Sequence, residues 1–566
     1  MSQATSNGPV LAADGTPLKK SLARALRVEK TRALMLIAPL LIFVLISFII
    51  PIVSMLFRSV DNRIVDNTIP YTVSELAKWT PEGDALPPET TFEALYYDMF
   101  IAQEAKQHTR LGSRFNYEES GFSSLFRKSG RALDDLGKDY LKELKVLDKR
   151  WGDADVWYDL MSGGDTAARD MAFAEGVVGR IERLESLSLE ASDGFAPSAE
   201  IAALMPKTAE AYTAFANFTW LVDEAGRRPG EEPYSAEELA TDKPWESVYP
   251  ALIQDLQTAD FAAYTGPHAD MLQALAANKS TFEAPAFSAV FADIDEDWAD
   301  AETWQIMKAH SVTYTNGYFL NAVDMKRTPD GAQMQDEDKR VLLKLFGRTM
   351  WMSLVITSMC ILLGYPVAWI LANLPARSAN LLMILVLLPF WTSLLVRTSA
   401  WKVMLQQQGV INDVLVWLGF LADDDRLIII NNATGTIIAM THILLPFMIL
   451  PMYSVMQTIQ PTYLRAAKSL GATNWTAFWR VYFPQSIPGI GAGSILVFIL
   501  AIGYYITPEI VGGNKGVFIS NRIAYHISTS LNWGLAAALG SILLGAVLIL
   551  YWAYDKIVGI DNVKLG

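Results

Sequence analysis

The sequence predicts an all-α membrane protein of six transmembrane helices with a large, mainly α-helical insertion between the first two. Six apolar runs are long enough to cross about 30 Å of hydrocarbon. Of the chain's 60 acidic and 46 basic residues, 51 and 27 lie in residues 57–340. That segment therefore has a net charge of −24, whereas the rest of the chain has +10. An acidic soluble domain is thus inserted into a basic membrane protein.

The first apolar run, residues 33–56, follows a basic N-terminal segment, residues 1–32. Its length and the absence of a small-x-small cleavage site predict an uncleaved anchor rather than a signal peptide. The basic flank predicts that the N-terminus is cytoplasmic, because positive charge accumulates on that side of the membrane.

The acidic insertion comprises residues 57–345 and precedes the next apolar run, so we expect it outside the cytoplasm. Helical patterning is clearest at 125–149 and 167–190. The lone cysteine, Cys360, excludes an intrachain disulfide framework. The acidic cluster at 293–300 does not match a calcium loop, because tryptophans occupy the required glycine and terminal glutamate positions. We expect a solvated helix start or a docking patch there.

Five further spans are expected in the membrane core, residues 346–556, before a cytoplasmic tail at 557–566. They are 350–374, 381–404, 432–456, 488–508 and 533–555. Loop charge agrees with a cytoplasmic location for both termini, because the predicted outer loop 405–431 holds three consecutive aspartates. The predicted inner loop holds Arg465, Lys468 and Arg480.

Between the fourth and fifth spans, residues 461–488 form a polar stretch that predicts a short helix–turn–helix. Pro461 suits a first helical turn, and Gly471 suits the break after the helix. One face of the first helix gathers Tyr463, Ala466, Ala467 and Leu470. Thr473 or Asn474 caps the second helix, and Pro484 and Pro488 are expected to end it before the apolar run.

This stretch resembles the coupling-loop signature of binding-protein-dependent ABC importer permeases. The resemblance rests on Ala466, Ala467, Gly471 and the run 481–484 (VYFP). Arg465 departs from the family, which usually has glutamate there. Other runs resemble the spermidine/putrescine-type branch, namely 364–369 (GYPVAW), 388–393 (LPFWTS), 396–401 (VRTSAW), 409–412 (GVIN), 507–509 (TPE) and 512–513 (GG). The resemblance covers residues 33–57 and 346–556, and excludes most of the insertion.

The resemblance implies a type I ABC importer permease fold in a bacterial inner membrane, with the insertion periplasmic. It implies a cytoplasmic coupling loop at 457–487, whose residues 461–484 contact an ABC ATPase subunit. The implied contact residues are Tyr463, Arg465, Ala466, Ala467, Leu470 and Gly471. It further implies a second permease chain, expected to form a heterodimer although a homodimer stays open, and a periplasmic solute-binding protein. The solute would be a small organic molecule, polyamine-like.

Candidate pathway residues lie at membrane depth. Trp391, Tyr504 and Tyr505 offer ring faces to a cationic solute, or serve as interfacial anchors. Arg397 either snorkels, pairs with an acid such as Glu509, or contributes to gating. His442 is expected to form an interhelical hydrogen bond, with solute binding or gating as alternatives.

The sequence contains no P-loop, zinc-ligand spacing or nucleophile elbow. We therefore expect a transport subunit, not an enzyme, with ATP and Mg²⁺ bound by the partner ATPase subunits and no cofactor, metal or nucleic acid bound by this chain. Two other classes remain as alternatives: a secondary transporter or channel, and a membrane-anchored solute sensor. Neither the internal repeats of the first nor a cytoplasmic output domain for the second is evident.

Overall fold

The computed structural model describes residues 18–164, 168–182, 194–228, 234–328 and 331–558. The start of the N-terminal segment (1–17) and most of the tail (559–566) lie outside the described residues. The first membrane segment runs through α1 (Leu18–Val44), a π-helical turn (Leu45–Ile49) and α2 (Ile50–Arg58). Its apolar stretch from Glu29 to Arg58 contains the predicted span and has no buried residue in its most apolar part.

The insertion is mainly helical, as predicted. Its helices are α3 (Arg63–Thr68), α4 (Pro70–Lys78), α5 (Glu89–Glu104), α6 (His108–Asn116), α7 (Phe122–Leu147), α8 (Ala154–Ser162), α9 (Met171–Glu182), α10 (Ala199–Leu204), α11 (Pro206–Gly226), α12 (Ala236–Leu239), α13 (Val248–Thr258), α14 (Ala269–Ala277), α15 (Phe287–Ile294), α16 (Ala301–Ala309) and α17 (Gly317–Ala322). Four 3₁₀ turns join them at Lys149–Gly152, Phe261–Ala263, Lys279–Thr281 and Glu296–Ala299. An antiparallel hairpin of β1 (Met325–Thr328) and β2 (Gly331–Met334) follows. The predicted helix 167–190 is observed as α9, and residues 183–190 lie outside the described part.

Two hydrophobic cores hold most of the insertion together. One includes the buried Trp298 and Trp304, and the other includes the buried Trp151 and Trp157. The acidic cluster at 293–300 lies on the surface of the first core. There Asp295 accepts a hydrogen bond from the backbone N–H of Asp297, and Asp300 accepts one from the N–H of Glu302. These carboxylates cap helix starts, in agreement with one of the two expectations.

The remaining helices form the membrane core. They are α18 (Leu342–Asn373), α19 (Ala376–Leu387), α20 (Leu394–Met404), α21 (Val410–Trp417), α22 (Ala433–Thr458), α23 (Pro461–Ser469), α24 (Asn474–Ala477), α25 (Phe483–Gly503), α26 (Ile506–Val511), α27 (Gly513–Gly516), α28 (Ile519–Ser528) and α29 (Trp533–Val558). Short turns add 3₁₀ helices at Leu388–Trp391 and Asp423–Asp425 and a π-helix at Phe478–Tyr482. Helices α18, α22 and α25 pack against one another around a methionine-rich core. A Cβ atom on Gly493 would collide with Met448, so this glycine permits α25 to approach α22 closely.

Five helical segments of the described chain are long and apolar enough to cross a membrane, and a sixth is counted if one bent pair forms a single span. The segment of the predicted third span, 381–404, is observed as two helices. Helices α19 and α20 are bent by 93° at a break after Trp391. The physical reason is local: Pro389 lacks a backbone N–H, and Ser393 caps the new start of α20 by accepting from the N–H of Val396.

The predicted end of the second loop helix at Pro484 and Pro488 is wrong. The helical segment runs without interruption from Asn474 to Gly503, with Pro484 in the first turn of α25 and Pro488 inside it. A five-residue π-helical turn precedes Pro484 and changes the hydrogen-bond register there. Membrane helices tolerate such prolines because neighbouring helices and local register changes satisfy the freed groups.

The insertion contacts the membrane core beside α29. The buried Tyr318 of α17 packs on Gly534, and the hydroxyl of Tyr117 donates to the carbonyl of Ser530 at 2.8 Å. Arg58 at the end of α2 lies over the Trp533 ring, 5.7 Å from its centroid. The two parts therefore share a packed junction at the start of α29.

We expect Gly534→Ala to destabilise this junction by about 1–3 kcal/mol, because the added methyl would overlap the buried Tyr318 ring. Thermal unfolding of the detergent-solubilised protein measures the loss. Gly540→Ala, in the same helix, is the matched control because the methyl group of an alanine there would have no other atom within 4 Å. The control should leave stability unchanged or slightly raised. Equal effects of both substitutions would contradict the proposed packing.

Candidate coupling and pathway sites

The first helix of the predicted helix–turn–helix is present as α23. Pro461 lies in its first turn, where the missing N–H has no cost. Gly471 follows the helix with a φ of +89°, a conformation that glycine adopts without strain. Thr473 then caps α24 by accepting from the backbone N–H of Thr476 at 3.2 Å. Local sequence chemistry therefore fixes both ends of the turn.

One face of α23 exposes apolar side chains. Tyr463 is 51% exposed and Leu470 is 89% exposed. Ala466 and Arg465 are exposed, Ala467 is half-buried, and Leu464 packs toward the membrane core. Exposed large apolar side chains beside alanine resemble an unpaired contact surface.

Aromatic side chains join this loop to α18 and α25. The Tyr365 hydroxyl of α18 shares a 3.0 Å hydrogen bond with Ser486 Oγ. The Tyr365 ring lies 6.2 Å from the Phe478 ring and 5.9 Å from the Phe483 ring. Trp479 packs 4.9 Å from Phe483. A force on the loop would therefore reach two membrane helices directly. The run 364–369 was recognised in the sequence, but the role of Tyr365 as this anchor was not.

Arg397 forms hydrogen bonds across the break between α19 and α20. Its guanidinium donates to the carbonyl of Pro389 and, at 3.1 Å, to the carbonyl of Thr392. Of the alternatives for Arg397, pairing with Glu509 is not observed, and Glu509 accepts instead from Asn521 Nδ2 at 2.6 Å. The helix break exposes carbonyl groups close to the arginine, and these satisfy its donors.

His442 forms the interhelical hydrogen bond that we predicted. Its Nδ1 accepts from Trp401 Nε1 at 3.0 Å, and the two rings meet edge to face at 5.2 Å. This bond joins α20 to α22. Arg397 lies close enough to interact electrostatically with both His442 and Tyr504.

The other predicted pathway residues occupy two different places. Trp391 is 72% exposed at the helix break. Tyr505, 46% exposed, is linked to Glu509 because Asn521 Nδ2 also donates to the Tyr505 carbonyl at 2.9 Å. Asn521 was not predicted from the sequence; it also caps α28 by accepting from the backbone N–H of Phe518. The phenylalanine at the start of this helix gives no capping signal, because its side chain cannot accept a hydrogen bond.

Metal binding finds no support in the described ranges, where no group of three or more His, Cys, Asp or Glu side chains converges.

Residues 343–558 match the family described as "Binding-protein-dependent transport system inner membrane component". The spermidine/putrescine transport system permease protein PotB of Salmonella typhimurium strain SL1344 is 36% identical over 209 residues, which are 36% of this chain and 72% of that protein. The chain belongs to this permease family. The PotB protein of Haemophilus influenzae is 37% identical over 220 residues, 38% of this chain and 76% of the relative.

The chain is thus a multi-pass permease subunit of an ABC importer, in the polyamine branch of the family. A solved structure described as a bacterial alginate ABC transporter with a bound periplasmic protein covers 41% of this permease and 82% of its own chain, at 19% identity and a TM-score of 0.34. The family match begins at residue 343, where the insertion ends, so it does not include residues 57–340.

One histidine of the permease predicts a pH dependence. Burial, and secondarily the Arg522 charge, lowers the pKa of His526 in α28 from 6.5 to about 4. Because the folded pKa lies below the unfolded one, the unfolded state binds more protons between these values. The contribution of His526 to the free energy of unfolding is therefore fully present above pH 6.5, and it is lost as the pH is lowered toward 4. Allowing for solvent screening, we expect a loss of about 1 kcal/mol by pH 5.

Thermal unfolding at pH 8 and pH 5 measures this loss in the wild type and in His526→Gln. Glutamine does not titrate and can still hydrogen bond to Ser530 Oγ, which lies 2.8 Å from His526 Nδ1. The substitution should make the pH dependence shallower. An unchanged slope would show that His526 does not contribute to it.

Proposed function

We propose that this permease passes a small organic cation, polyamine-like, across a bacterial inner membrane. The names of two relatives, both spermidine/putrescine permeases, support the solute class. A second permease chain, most simply a different one, completes the pathway, and a periplasmic solute-binding protein delivers the solute. ATP and Mg²⁺ remain on the ATPase subunits, and this chain hydrolyses nothing itself.

The coupling step is carried by α23. We infer that an ATPase subunit grips the loop 461–484 through Tyr463, Arg465, Ala466, Ala467, Leu470 and Gly471. The observation that supports this most is the pairing of an exposed apolar helix with an aromatic anchor on α18 and α25. If the ATPase binds one side of this loop while the aromatic contacts hold the other side to α18 and α25, a movement of the ATPase would move these membrane helices as well.

The pathway itself is proposed to pass the broken helix α19–α20. Trp391 and Tyr505 are the exposed aromatic faces that suit a cation, and Tyr504 lies within electrostatic range of Arg397. Glu509 adds a carboxylate held in place by Asn521. Because Arg397 and His442 hydrogen bond across helix boundaries, we assign them to holding the broken segment in position rather than to solute contact.

For topology, we propose six spans, with α19 and α20 counted as one, both termini cytoplasmic and the insertion at 57–345 periplasmic. Single cysteines test this, because the native Cys360 is buried and should react slowly. With a membrane-impermeant maleimide, Glu296→Cys in the insertion is expected to label in intact cells. Ser469→Cys in the coupling loop should label only after lysis. The opposite pattern would invert the proposed orientation.

The solute is tested by ATP hydrolysis of the complete importer in lipid, with its binding protein and a panel of polyamines, amino acids and neutral sugars. We expect polyamines alone to stimulate hydrolysis above the basal rate. Stimulation by another solute class would keep the importer function and replace the solute. Hydrolysis that ignores every solute would instead favour the membrane-anchored sensor.

A further inference from the structure

The insertion encloses a cavity of about 410 Å³ that no part of the importer function explains. It lies where helices α4 and α5 meet α9 and α11, next to the segment that precedes α13. Tyr97 and Trp245 both line it, and each packs against both of the insertion's large cores. Sites for small organic molecules have this size and commonly lie between such structural units.

The walls combine aromatic rings with carboxylates. Tyr71, Tyr97, Phe100 and Trp245 supply rings, and Glu75, Glu93 and Glu210 supply carboxylates. Arg180 and Lys207 are the two basic side chains among the lining residues. Ring faces and carboxylates both attract ammonium groups. The class of ligand therefore depends on which of the charged side chains are already paired within the protein.

The Arg180 side chain is buried and paired with carboxylates of the protein. Its side chain is 7% exposed, and it donates to Asp98 Oδ1 at 2.7 Å and to Glu210 Oε1 at 3.0 Å. Its guanidinium also lies 4.1 Å from the centroid of the Tyr71 ring. Asp98 is in turn completed by the N–H and hydroxyl of Thr72, both at 2.7 Å. An anionic ligand would have to take Arg180 from two carboxylates, one of them fully buried.

The two other carboxylates are held by exposed lysines. Glu75 pairs with Lys78, whose side chain is 68% exposed, and Glu93 pairs with Lys207, which is 43% exposed. Exposed lysine–carboxylate pairs contribute little free energy, so water and ligand ammonium groups compete with them readily. A ligand ammonium group can therefore displace Lys78 and Lys207 from these carboxylates easily, whereas an anionic ligand cannot easily displace the carboxylates from Arg180.

We propose that this cavity binds a small organic ammonium compound, with Glu75 and Glu93 accepting its N–H groups and Tyr97 and Trp245 packing on its methylenes. The site lies in the insertion, far along the chain from the broken helix α19–α20, and it does not require that the transported solute be an amine. It gives the insertion a ligand-binding role of its own.

Calorimetric titration of the full-length protein in lipid nanodiscs, without its partner subunits, tests the ligand class. The probes are 1,4-diaminobutane and spermidine, with 1,4-butanediol and succinate as neutral and dianionic matches of the four-carbon diamine. We expect saturable binding of the amines and none of the diol or succinate. Succinate binding equal to that of the diamine, or no amine binding, would overturn the proposal.

Two pairs of variants locate the site. Glu93→Gln should weaken amine binding about tenfold, whereas Glu143→Gln, the same charge change at an exposed position of α7, should not. Ser74→Trp fills the cavity from its exposed rim, and Ala77→Trp adds the same bulk to an exposed position of α4 outside the lining. Ser74→Trp should abolish amine binding and Ala77→Trp should preserve it.

Amine binding that survives both Glu93→Gln and Ser74→Trp would place the ligand elsewhere and reject this site. The outcome is separable from that of the importer proposal. If amines bind here but do not stimulate ATP hydrolysis of the complete complex, the proposed solute is wrong and this site stands.

Discussion

Replacement of Ala466 by glutamate is expected to reduce solute-stimulated ATP hydrolysis and transport by the complete importer at least about tenfold. Ala466 is exposed on the apolar side of α23, beside Tyr463 and Leu470. A carboxylate at this position would lose its hydration when the ATPase docks, and an apolar contact surface would offer it no charged or hydrogen-bonding partner. The position is better suited than Ala467, which is half-buried against the permease itself.

Two controls separate docking from folding. Ala466→Ser keeps the side chain small and should retain most of the stimulation. Ala422→Glu makes the same change at an exposed position of the predicted outer loop, and should leave hydrolysis unchanged. Co-purification of the ATPase subunits provides a second readout, because a docking defect should release them. Full stimulation in Ala466→Glu would show that α23 is not the ATPase contact.

Removal of the Arg114 guanidinium should have the largest effect on the stability of the insertion. Arg114 and Glu118 form a 2.7 Å ion pair in which both side chains are 3% exposed. Arg114 Nε also donates to Asn62 Oδ1 at 2.7 Å, and the guanidinium lies over the Tyr318 ring. Arg114→Met would leave a buried, unpaired carboxylate, at a cost of about 3–5 kcal/mol.

The nearby His310 ring lies 3.6 Å from Glu118, and burial lowers the pKa of its imidazole. Burial by itself would raise the pKa of the Glu118 carboxyl. The opposing effect, which comes mainly from the positive charge of Arg114, is larger in total and brings this pKa below its usual range. In Arg114→Met the pKa of Glu118 should therefore rise, and the insertion should become more stable as the pH is lowered.

Denaturant unfolding, followed by tryptophan fluorescence, measures the loss. Adding Glu118→Gln to Arg114→Met removes the unpaired charge and should recover more than half of it. Lys142→Met, which breaks the exposed pair with Asp139, is the surface control and should leave stability unchanged. No recovery in the double variant would assign the loss to the missing contacts of Arg114 with Asn62 and Tyr318 rather than to the stranded charge.

The local chemistry of the coupling loop was predictable because it depends on neighbours in sequence. Pro461 at a helix start, Gly471 at a left-handed position and Thr473 at a helix cap each act within four residues. The interhelical bond of His442 was also predicted, since a polar ring among apolar helices needs a partner. The identity of that partner, Trp401, was not predicted.

Three features could not be predicted in detail from the sequence, for a common reason. The break after Trp391, the partner of Arg397 and the passage of a helix through Pro484 and Pro488 all depend on which backbone groups are free and what lies near them. Proline marks where a hydrogen bond is missing, but it does not say whether the chain breaks, bends or changes register. That choice is made by packing.

The sequence by itself determined the membrane segments, the acidic insertion and the family, because hydropathy, charge and a short spaced motif are properties of short runs. Only the tertiary structure decided that Tyr365 is tied to Ser486, 121 residues away, and that Tyr97 and Trp245 share a cavity with Glu75 and Arg180. Such contacts join residues whose separation in the chain carries no periodic signal. They follow from how helices pack, and packing is fixed by the whole set of buried surfaces together.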